Sequence, residues 1–507
     1  MNSDTGAKQR LALLQQDAER NILGPLRTHG WVAEVERIVE AGEYLIISAE
    51  RGGQSHRIGL LYTSATDNRV YKTLANQVEH VFFNGASYMV ESFAHGLDKP
   101  VGSSGDFHAL LLQWNAASTD GKFVAGDLSE PTPSIRSQSR TLLSDQPIDA
   151  VWLRLRQFQS VTLAKRLVVE RARSDGIELD DAVIKTKAEG LAYALRNATD
   201  YYQAREVRNV SQRVLNLYYG SLSFAFAEML ALPKGPDTLS EIENSTKQGH
   251  GLYTIDQIEG SLEHLVVGII RSGFFPAWMR AIGVPAGDIP ERKPRQPKDL
   301  ENLPSDSWIS LEQLFASIPE LSDLFHDIFE SKPRWVRPTY DNEANASQSI
   351  FGEGPPATSS YSIFVDDSGR LTKEDIAEFP GPITQIMPLA SPNSARHFRV
   401  AVDHTGKEYW WQALDLHDSP FERGALILPI LGAVGEYRAI CVVLLYALSI
   451  VVRYRPGIWR RVQEGDLDHM RVLIEAFLAV VERVLPEQFL EKITGQRIFA
   501  KQPGSFV

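Results

Sequence analysis

The sequence has a single cysteine, Cys441, among its 507 residues. One thiol cannot form a disulfide within the chain, and it excludes a zinc site built from several cysteines. Cys441 lies in the apolar run Ala439–Val452, where a buried cysteine that packs as a small hydrophobic residue is more common than a reactive one. This composition fits a reducing compartment, and we expect a cytoplasmic protein.

The common catalytic signatures are also missing. The sequence contains no P-loop, no dinucleotide-binding glycine fingerprint after a strand, no nucleophile-elbow pentapeptide and no paired-histidine zinc motif. These absences exclude the most frequent nucleotide-binding and hydrolase classes. We therefore predict no bound cofactor and no metal ion, with magnesium as the exception if the protein is a nuclease.

Long hydrophobic segments and an excess of positive charge are absent too. The longest apolar run, Ala439–Val452, is shorter than the roughly 20 residues that span a bilayer, so we expect a buried helix and no membrane partner. The formal net charge is −12. This value excludes a surface that is basic throughout, although a local basic groove remains compatible with it.

The residues that are present indicate an α+β protein with several domains, because 507 residues exceed one ordinary core. Segments rich in serine, proline and charge predict a linker at 126–149 and a flexible linker at 341–360. They separate a small N-terminal α/β domain (1–125), a mainly helical domain (150–340) and a C-terminal region (361–507). The C-terminal region combines a β insertion near 358–412 with further helices.

Hydrophobic periodicity places the main elements. Helical spacing runs over Gln9–Glu40, and strands follow at Glu43–Ala49 and His56–Thr63. Apolar residues three and four positions apart predict helices in the middle and C-terminal parts at Trp152–Arg173, Lys185–Ala204, Val207–Leu232, Ile255–Ile270, Leu426–Gly432, Tyr437–Tyr454, Asp468–Val484 and Glu487–Leu490. Alternation predicts later strands at Tyr361–Val365, Ile383–Leu389, Phe398–Val402 and Glu408–Trp411.

Three N-terminal acids are candidates for metal chemistry. Glu36 and Glu40 fall one turn apart on the first predicted helix, and Glu43 opens the following strand. The order of elements resembles the restriction-endonuclease-like fold, in which carboxylates on neighbouring strands bind a divalent metal that activates water. The strand His56–Thr63 carries neither the acid nor the lysine of that pattern. The alternatives are a nuclease, a degenerate binding domain of this fold, and an unrelated small α/β domain.

A second group of candidates is basic. His250 lies between two glycines, shortly after Lys247, and glycines allow close approach of a ligand to the backbone. Arg205 and Arg208 follow a pair of tyrosines on the helical segment before it. These four residues are predicted to bind an anionic ligand or partner. The alternative for His250 is a turn that caps a helix end, and for the arginines a solvated helix face.

Tyrosine pairs mark the two central helices, at Tyr201-Tyr202 and Tyr218-Tyr219. They either pack in the core or stack on the bases of a nucleic acid. A series of short matches in the same order resembles the YaaC-like family over about residues 150–490. The matching residues are Ala198–Tyr202, Ala204, Leu217–Tyr219, Ser221, Gly249–Leu252, Leu444–Ser449, Arg453–Pro456, Trp459, Phe477 and Leu485-Pro486.

The helical pair also resembles the HEPN class of helical bundles, although the catalytic arginine and histidine of that class have no counterpart on these helices. The YaaC-like resemblance implies an interaction or assembly protein that binds a protein partner or forms a homo-oligomer. By analogy with bacterial fusion proteins, it suggests an antiviral defence complex that senses or handles nucleic acid. A metal-dependent nuclease and a structural oligomer remain the alternatives.

Overall fold

The structure, a computed structural model, describes residues 3–40, 43–52, 54–62, 67–84, 93–97, 99, 101–108, 110–111, 114, 139–204, 209–285, 287–345, 358–390, 394–407 and 409–503. The chain divides into two compact units, Met1–Thr132 and Pro133–Val507. Each unit has its own hydrophobic core. Both contain helices and sheets, which confirms the predicted α+β multidomain class.

In the first unit, helices flank a five-stranded sheet with the order β1-β2-β3-β4-β5. Strands β1 to β3 are antiparallel, while β3, β4 and β5 are parallel. Alternate residues of β2 enter two cores, with Leu45 and Ile47 on one side and Ile46 on the other. The elements are α1 Ser3–Ala18, a π-helix Glu19–Leu23, α2 Gly24–Thr28, β1 Val32–Val39, β2 Tyr44–Arg51, β3 Gln54–Leu61, α3 Asn68–Ala75, β4 His80–Phe83 and β5 Val101–Ser103.

The helix predicted over Gln9–Glu40 is wrong in its last third. The helical segment ends at Thr28, and Gly30 turns the chain with a φ of +79°. Val32–Val39 then forms an edge strand against β2. Its valines and isoleucine favour a pleated strand, and that preference prevails over the helical spacing. Glu36 and Glu40 therefore do not lie one turn apart on a helix.

The second unit is built mainly from helices around the largest core of the chain. The long helices α6, α7, α13 and α15 supply most of this core. The helices are α4 Pro147–Gln157, α5 Val161–Ser174, α6 Asp181–Tyr202, α7 Val210–Ala231, α8 Leu239–Lys247, α9 Phe274–Ala281, α10 Leu311–Ala316, α11 Ser322–Ile328, α12 Lys373–Ala377, α13 Tyr437–Tyr454, α14 Pro456–Glu464 and α15 Asp468–Thr494.

Three small sheets complete the second unit. Their orders are β7-β8-β9, β12-β13-β11-β10-β15-β14 and β16-β6, and the last pair is parallel. The six-stranded sheet contains the predicted β insertion and extends beyond it at both ends. The strands are β6 Ser139–Leu143, β7 Leu252–Asp256, β8 Leu265–Ile269, β9 Trp308–Ser310, β10 Trp335–Tyr340, β11 Ser359–Asp366, β12 Ile383–Leu389, β13 Arg396–Asp403, β14 Leu416–His417, β15 Ala425–Ile427 and β16 Arg497–Lys501.

Several predictions for this unit are wrong in type. The helix predicted over Ile255–Ile270 is the hairpin β7–β8. The strand predicted at Glu408–Trp411 is a 3-10 turn over Trp410–Ala413, and the helix predicted over Leu426–Gly432 begins as β15. These are short apolar runs, in which periodicity does not separate a buried strand from a buried helix turn.

Other differences concern boundaries. The helix predicted over Trp152–Arg173 is two helices, α4 and α5, and the last two predicted helices are one, α15, with Pro486 inside it. The expected linker 126–149 contains β6 and the start of α4, while its residues 126–138 lie outside the described ones. Residues 346–357 of the expected linker 341–360 also lie outside the described residues.

Helix α13 is apolar on all sides, as expected of a helix in a core. Among the described residues it is the one helix long and apolar enough to cross a membrane, and 78% of it is buried inside the structure. Cys441 lies on it and is fully buried. Burial raises the pKa of this thiol well above its usual value, which makes it a packing residue rather than a nucleophile.

Candidate functional site

Two of the four basic residues predicted to bind an anion, Lys247 and His250, lie in the described part of the chain. Lys247 ends α8 and is exposed, and His250 follows it in the loop before β7. A lysine is favourable at a helix C-terminus, where the backbone carbonyls carry partial negative charge. Arg205 and Arg208 lie outside the described residues.

The loop around His250 is fixed by backbone contacts with the start of α9. The amide of Phe274 donates to the Gly249 carbonyl at 3.0 Å, and the amide of Phe275 donates to the His250 carbonyl at 2.9 Å. These bonds satisfy two of the free amides at a helix start. Gly251 has a φ of +79°, and a Cβ there would lie 2.2 Å from the Pro276 Cδ. The glycines therefore serve close packing as well as the turn.

The His250 side chain is half-buried and points to helices α7 and α13. Its Nδ1 lies 2.8 Å from the Tyr218 hydroxyl, and its ring centre is 5.6 Å from that of Tyr446. Burial, and secondarily the positive charge of Arg453, hold the pKa of His250 below its usual value. The imidazole is therefore neutral at pH 7 and can both donate and accept a hydrogen bond.

The tyrosine pairs divide between core and surface. The Tyr202 ring packs over Gly220, where a Cβ would lie only 2.6 Å from the Tyr202 Cδ2. Tyr218 is buried, and burial raises its pKa far above the usual value. Tyr201 is 39% exposed, and its ring lies 6.0 Å from that of Tyr219. One tyrosine of each pair therefore packs inside, and Tyr201 reaches the surface.

Arg453, at the end of α13, lies between tyrosines. Its Nη1 donates to the Tyr219 hydroxyl at 3.1 Å, while its Nε and Nη2 donate to the carbonyl and hydroxyl of Ser449. The guanidinium carbon is 6.0 Å from the Tyr219 ring centre and 5.1 Å from that of Tyr454, which is 67% exposed. Among the described residues, no carboxylate forms an ion pair with Arg453.

Together these side chains form one site, which we call the tyrosine–arginine cluster. Helix α7 supplies two members, α13 supplies three, and the glycine loop supplies the histidine. The members are Tyr218, Tyr219, His250, Tyr446, Arg453 and Tyr454. The phenols of Tyr218 and Tyr446 stay protonated at neutral pH, since burial raises the pKa of both, that of Tyr446 to about 12. The cluster therefore offers aromatic faces, neutral hydrogen-bonding groups and one positive charge that no described carboxylate pairs with.

The N-terminal acids have structural partners. Glu43 accepts from the Nε and Nη2 of Arg10 at 2.5 and 2.6 Å, and these bonds hold the pKa of Glu43 below its usual value. Glu36 on β1 accepts from Arg57 at 2.7 Å. Glu40 is exposed beside the turn between β1 and β2. Nowhere in the described part of the chain do three or more His, Cys, Asp or Glu side chains converge to hold a metal ion.

Sequence reasoning proposed His250 as a site residue but not Arg453 or Tyr446, although both lie in segments that carry the YaaC-like resemblance. The two glycines marked the histidine loop, because a turn with positive φ needs them. Arg453 ends an apolar helix, where a basic residue is ordinary. Whether Arg453 has a carboxylate partner depends on segments that are distant in the sequence. No local pattern therefore indicates that the described residues supply none.

The comparisons with known proteins address the second unit. A family model described as YaaC-like Protein matches residues 156–493, which is two thirds of the chain. The chain therefore belongs to the YaaC-like family, as the resemblance predicted. The same comparisons found no match among curated proteins or solved structures. The HEPN-like and restriction-endonuclease-like resemblances stay predictions.

Proposed function

We propose that this YaaC-like protein is a cytoplasmic bacterial interaction protein that binds an anionic ligand with a planar base. The ligand class is a nucleotide or a single strand of nucleic acid, which share this chemistry. The observation that carries the proposal is Arg453, a half-buried cation that has tyrosines on either side and no carboxylate partner among the described residues.

The electrostatic argument rests on the cost of a buried charge. A guanidinium removed from water is normally paired with a carboxylate, because hydrogen bonds to neutral groups offset only part of its lost hydration. Arg453 has neutral partners, Tyr219 and Ser449. A phosphate that approaches it would supply the missing negative charge and form charge-assisted hydrogen bonds.

The aromatic residues account for the base. Exposed rings beside an arginine suit base stacking, which contributes about 1–3 kcal/mol per base in proteins that bind single strands. Tyr201 and Tyr454 have exposed faces, and Tyr219 lies near both Tyr201 and Arg453. His250 would hydrogen-bond the ligand, and Lys247, Arg205 and Arg208 would add positive charge around it. The net charge of −12 limits such binding to a local patch.

The test is fluorescence anisotropy of the full chain with a labelled single-stranded RNA, a single-stranded DNA and a fluorescent ATP analogue. We expect Arg453→Gln to weaken binding at least tenfold, since a charge-assisted contact and a stacking partner are lost. The comparison of the three probes separates a free nucleotide from a strand. Affinity for a strand should also fall as salt rises.

The matched control is Arg471→Gln. Arg471 lies on α15 and is exposed, and its ion pair is local, with Glu475 one turn away. This variant should bind as the wild type does. Equal binding by Arg453→Gln and the wild type would refute the proposal, as would a wild type that binds none of the probes. In the second case, co-purification and light scattering would distinguish a protein partner from a homo-oligomer.

The other hypotheses have no feature in their favour among the described residues. Glu36 and Glu43 pair with arginines, so the metal-dependent nuclease stays a prediction, to be tested by magnesium-dependent cleavage assays. Membership of an antiviral defence complex is likewise a prediction, and the genes flanking this one would test it.

A further inference from the structure

The second unit contains a large cleft away from the tyrosine–arginine cluster. Its volume is about 890 Å³, within the range of small-molecule sites in proteins. The walls are the C-terminal half of α15, strand β16, the loop 415–423 and the start of α13. We call it the α15 cleft.

The deep wall of the α15 cleft carries charges that are already paired. The buried Arg438 donates to both oxygens of Glu228, at 3.1 and 2.6 Å, and also contacts Glu436. Lys492 lies 3.2 Å from Glu436, and the Trp278 indole donates to Glu228 at 3.0 Å. Because each of these charges has an opposite partner, this network holds the wall in place and leaves no charge for a ligand.

The rim of the cleft is also fixed. Arg171 donates to the carbonyls of Lys492 and Ile493 at the end of α15, and Gly495 turns the chain there with a φ of +64°. A Cβ at Gly495 would lie 2.6 Å from the Arg171 guanidinium. The Ile498 amide of β16 then donates to Glu491 at 2.7 Å. The cleft is therefore formed before any ligand arrives, which lowers the entropic cost of binding.

Two groups in the cleft differ from this paired background. Arg483 lines the cleft, and its Nη1 is buried without a hydrogen-bond partner among the described residues. Glu487 lies one helical turn further along α15 and also lines the cleft. Burial, more than any charge, raises the pKa of Glu487 to about 7, with the charge of Glu491 adding to the rise and that of Arg483 opposing it.

We propose that the α15 cleft binds the phosphate or carboxylate group of a small metabolite, which accepts from Arg483 Nη1 and from the protonated carboxyl of Glu487. An anion would satisfy Arg483 Nη1, a buried guanidinium donor for which the described residues supply no acceptor. The protonated carboxyl adds a second donor and removes the negative charge that would otherwise repel the ligand.

The surroundings of Glu487 leave this pair as the centre of the site. Glu491 is engaged with the Ile498 amide, and Arg497 pairs with Asp418 across the rim. Outside the deep wall, the other acidic and basic side chains that line the cleft are Arg171, Asp415, His417, Arg423 and Lys501. Arg171 is bonded to the end of α15 and His417 to Glu320. Arg423 and Lys501 favour an anion electrostatically, and Asp415 opposes it.

The test is calorimetric titration of the full chain with sulfate, which represents a phosphate ester, and with tartrate, which represents a carboxylate. Both ions keep their charge between pH 6 and pH 8. Because Glu487 must be protonated to donate, we expect binding about tenfold weaker at pH 8 than at pH 6. A wild type that binds neither ion, or binds with the same affinity across this range, overturns the proposal.

Variants locate the site. Arg483→Gln should lose binding at every pH, whereas Glu487→Gln, with a permanently neutral amide donor, should bind at pH 8 as it does at pH 6. Arg471→Gln, which removes an exposed cation of the same helix outside the cleft lining, serves as the control and should bind both ions normally. Retained binding in Arg483→Gln, or an unchanged pH dependence in Glu487→Gln, contradicts the inference. Loss of binding in Arg453→Gln would place the anion in the tyrosine–arginine cluster instead, which also overturns it.

Discussion

The two ends of helix α13 carry arginines in opposite situations. Arg438, in its first turn, is 2% exposed and bonds to two carboxylates, Glu228 and Glu436. Arg453, in its last turn, is half-buried, and its hydrogen-bond partners among the described residues are Ser449 and Tyr219, which are neutral. Both side chains project from the same apolar helix. The difference in their partners therefore comes from the segments that pack against each end of it.

This difference separates a structural charge from one that is available to a ligand. At Arg438, the chain itself supplies the opposite charges, those of Glu228 and Glu436. These ion pairs form part of the deep wall of the α15 cleft. At Arg453, the part of the chain that the structure describes supplies aromatic rings and hydroxyl groups and no carboxylate partner. Changes at the first end should therefore affect folding, and changes at the second end should affect binding.

The largest effect is expected at the structural end. Arg438→Met should lower the free energy of unfolding by about 3–5 kcal/mol, because Glu228 would stay buried without its cation. Urea unfolding of the full chain measures this loss. The double variant Arg438→Met with Glu228→Gln should recover part of it, since no buried charge is then left unpaired. A loss below about 1 kcal/mol would contradict the structural role.

Arg453→Met should have a smaller effect on stability. The hydrogen bonds to Ser449 and Tyr219 are lost, but the apolar stem is kept. The buried Ser449 hydroxyl keeps its bond to the Tyr446 carbonyl, and Tyr219 is only half-buried. We expect a decrease of about 1 kcal/mol in the same unfolding experiment. A decrease as large as that of Arg438→Met would mean that Arg453 is structural, and the comparison between the two ends would fail.

The smallest effect concerns pH and His250. Its pKa in the folded protein is below the usual 6.5, so the unfolded chain binds the proton more readily. Stability that His250 contributes at neutral pH is therefore lost as the pH falls through 6.5 and then through its lower folded pKa. His250→Asn should show a shallower fall in unfolding free energy between pH 7 and pH 5. Parallel curves for the variant and the wild type would contradict this prediction.

The fold was predictable where one pattern persisted over many residues. Helices α6, α7 and α13 each run for about five turns or more with consistent apolar spacing, and all three were predicted near their observed bounds. The strand Val32–Val39 and the hairpin β7–β8 were not predicted, since a run of eight or fewer residues can fit both the helical period and the strand period. Their pairing partners decide between strand and helix, and partners are set by the tertiary structure.

The candidate site shows the same division. The glycines around His250 indicated a tight turn, and the structure contains one with the histidine side chain directed at Tyr218. Arg453 lies in a segment that carries the YaaC-like resemblance, but no local pattern indicated it, Arg483 or Glu487 as a site residue. A charge is compensated or not according to side chains that lie far away in the sequence, such as Glu228, which is 210 residues from Arg438.

The sequence by itself determined the reduced thiol, the α+β composition, the long helices and the YaaC-like character of the second unit. These features follow from residue types and from periods of a few residues. Only the tertiary structure decided which arginine is paired, which tyrosine of each pair is buried and where burial raises the pKa of a carboxyl group. Electrostatic energies depend on distance and burial, and both are set by segments that meet only when the chain folds.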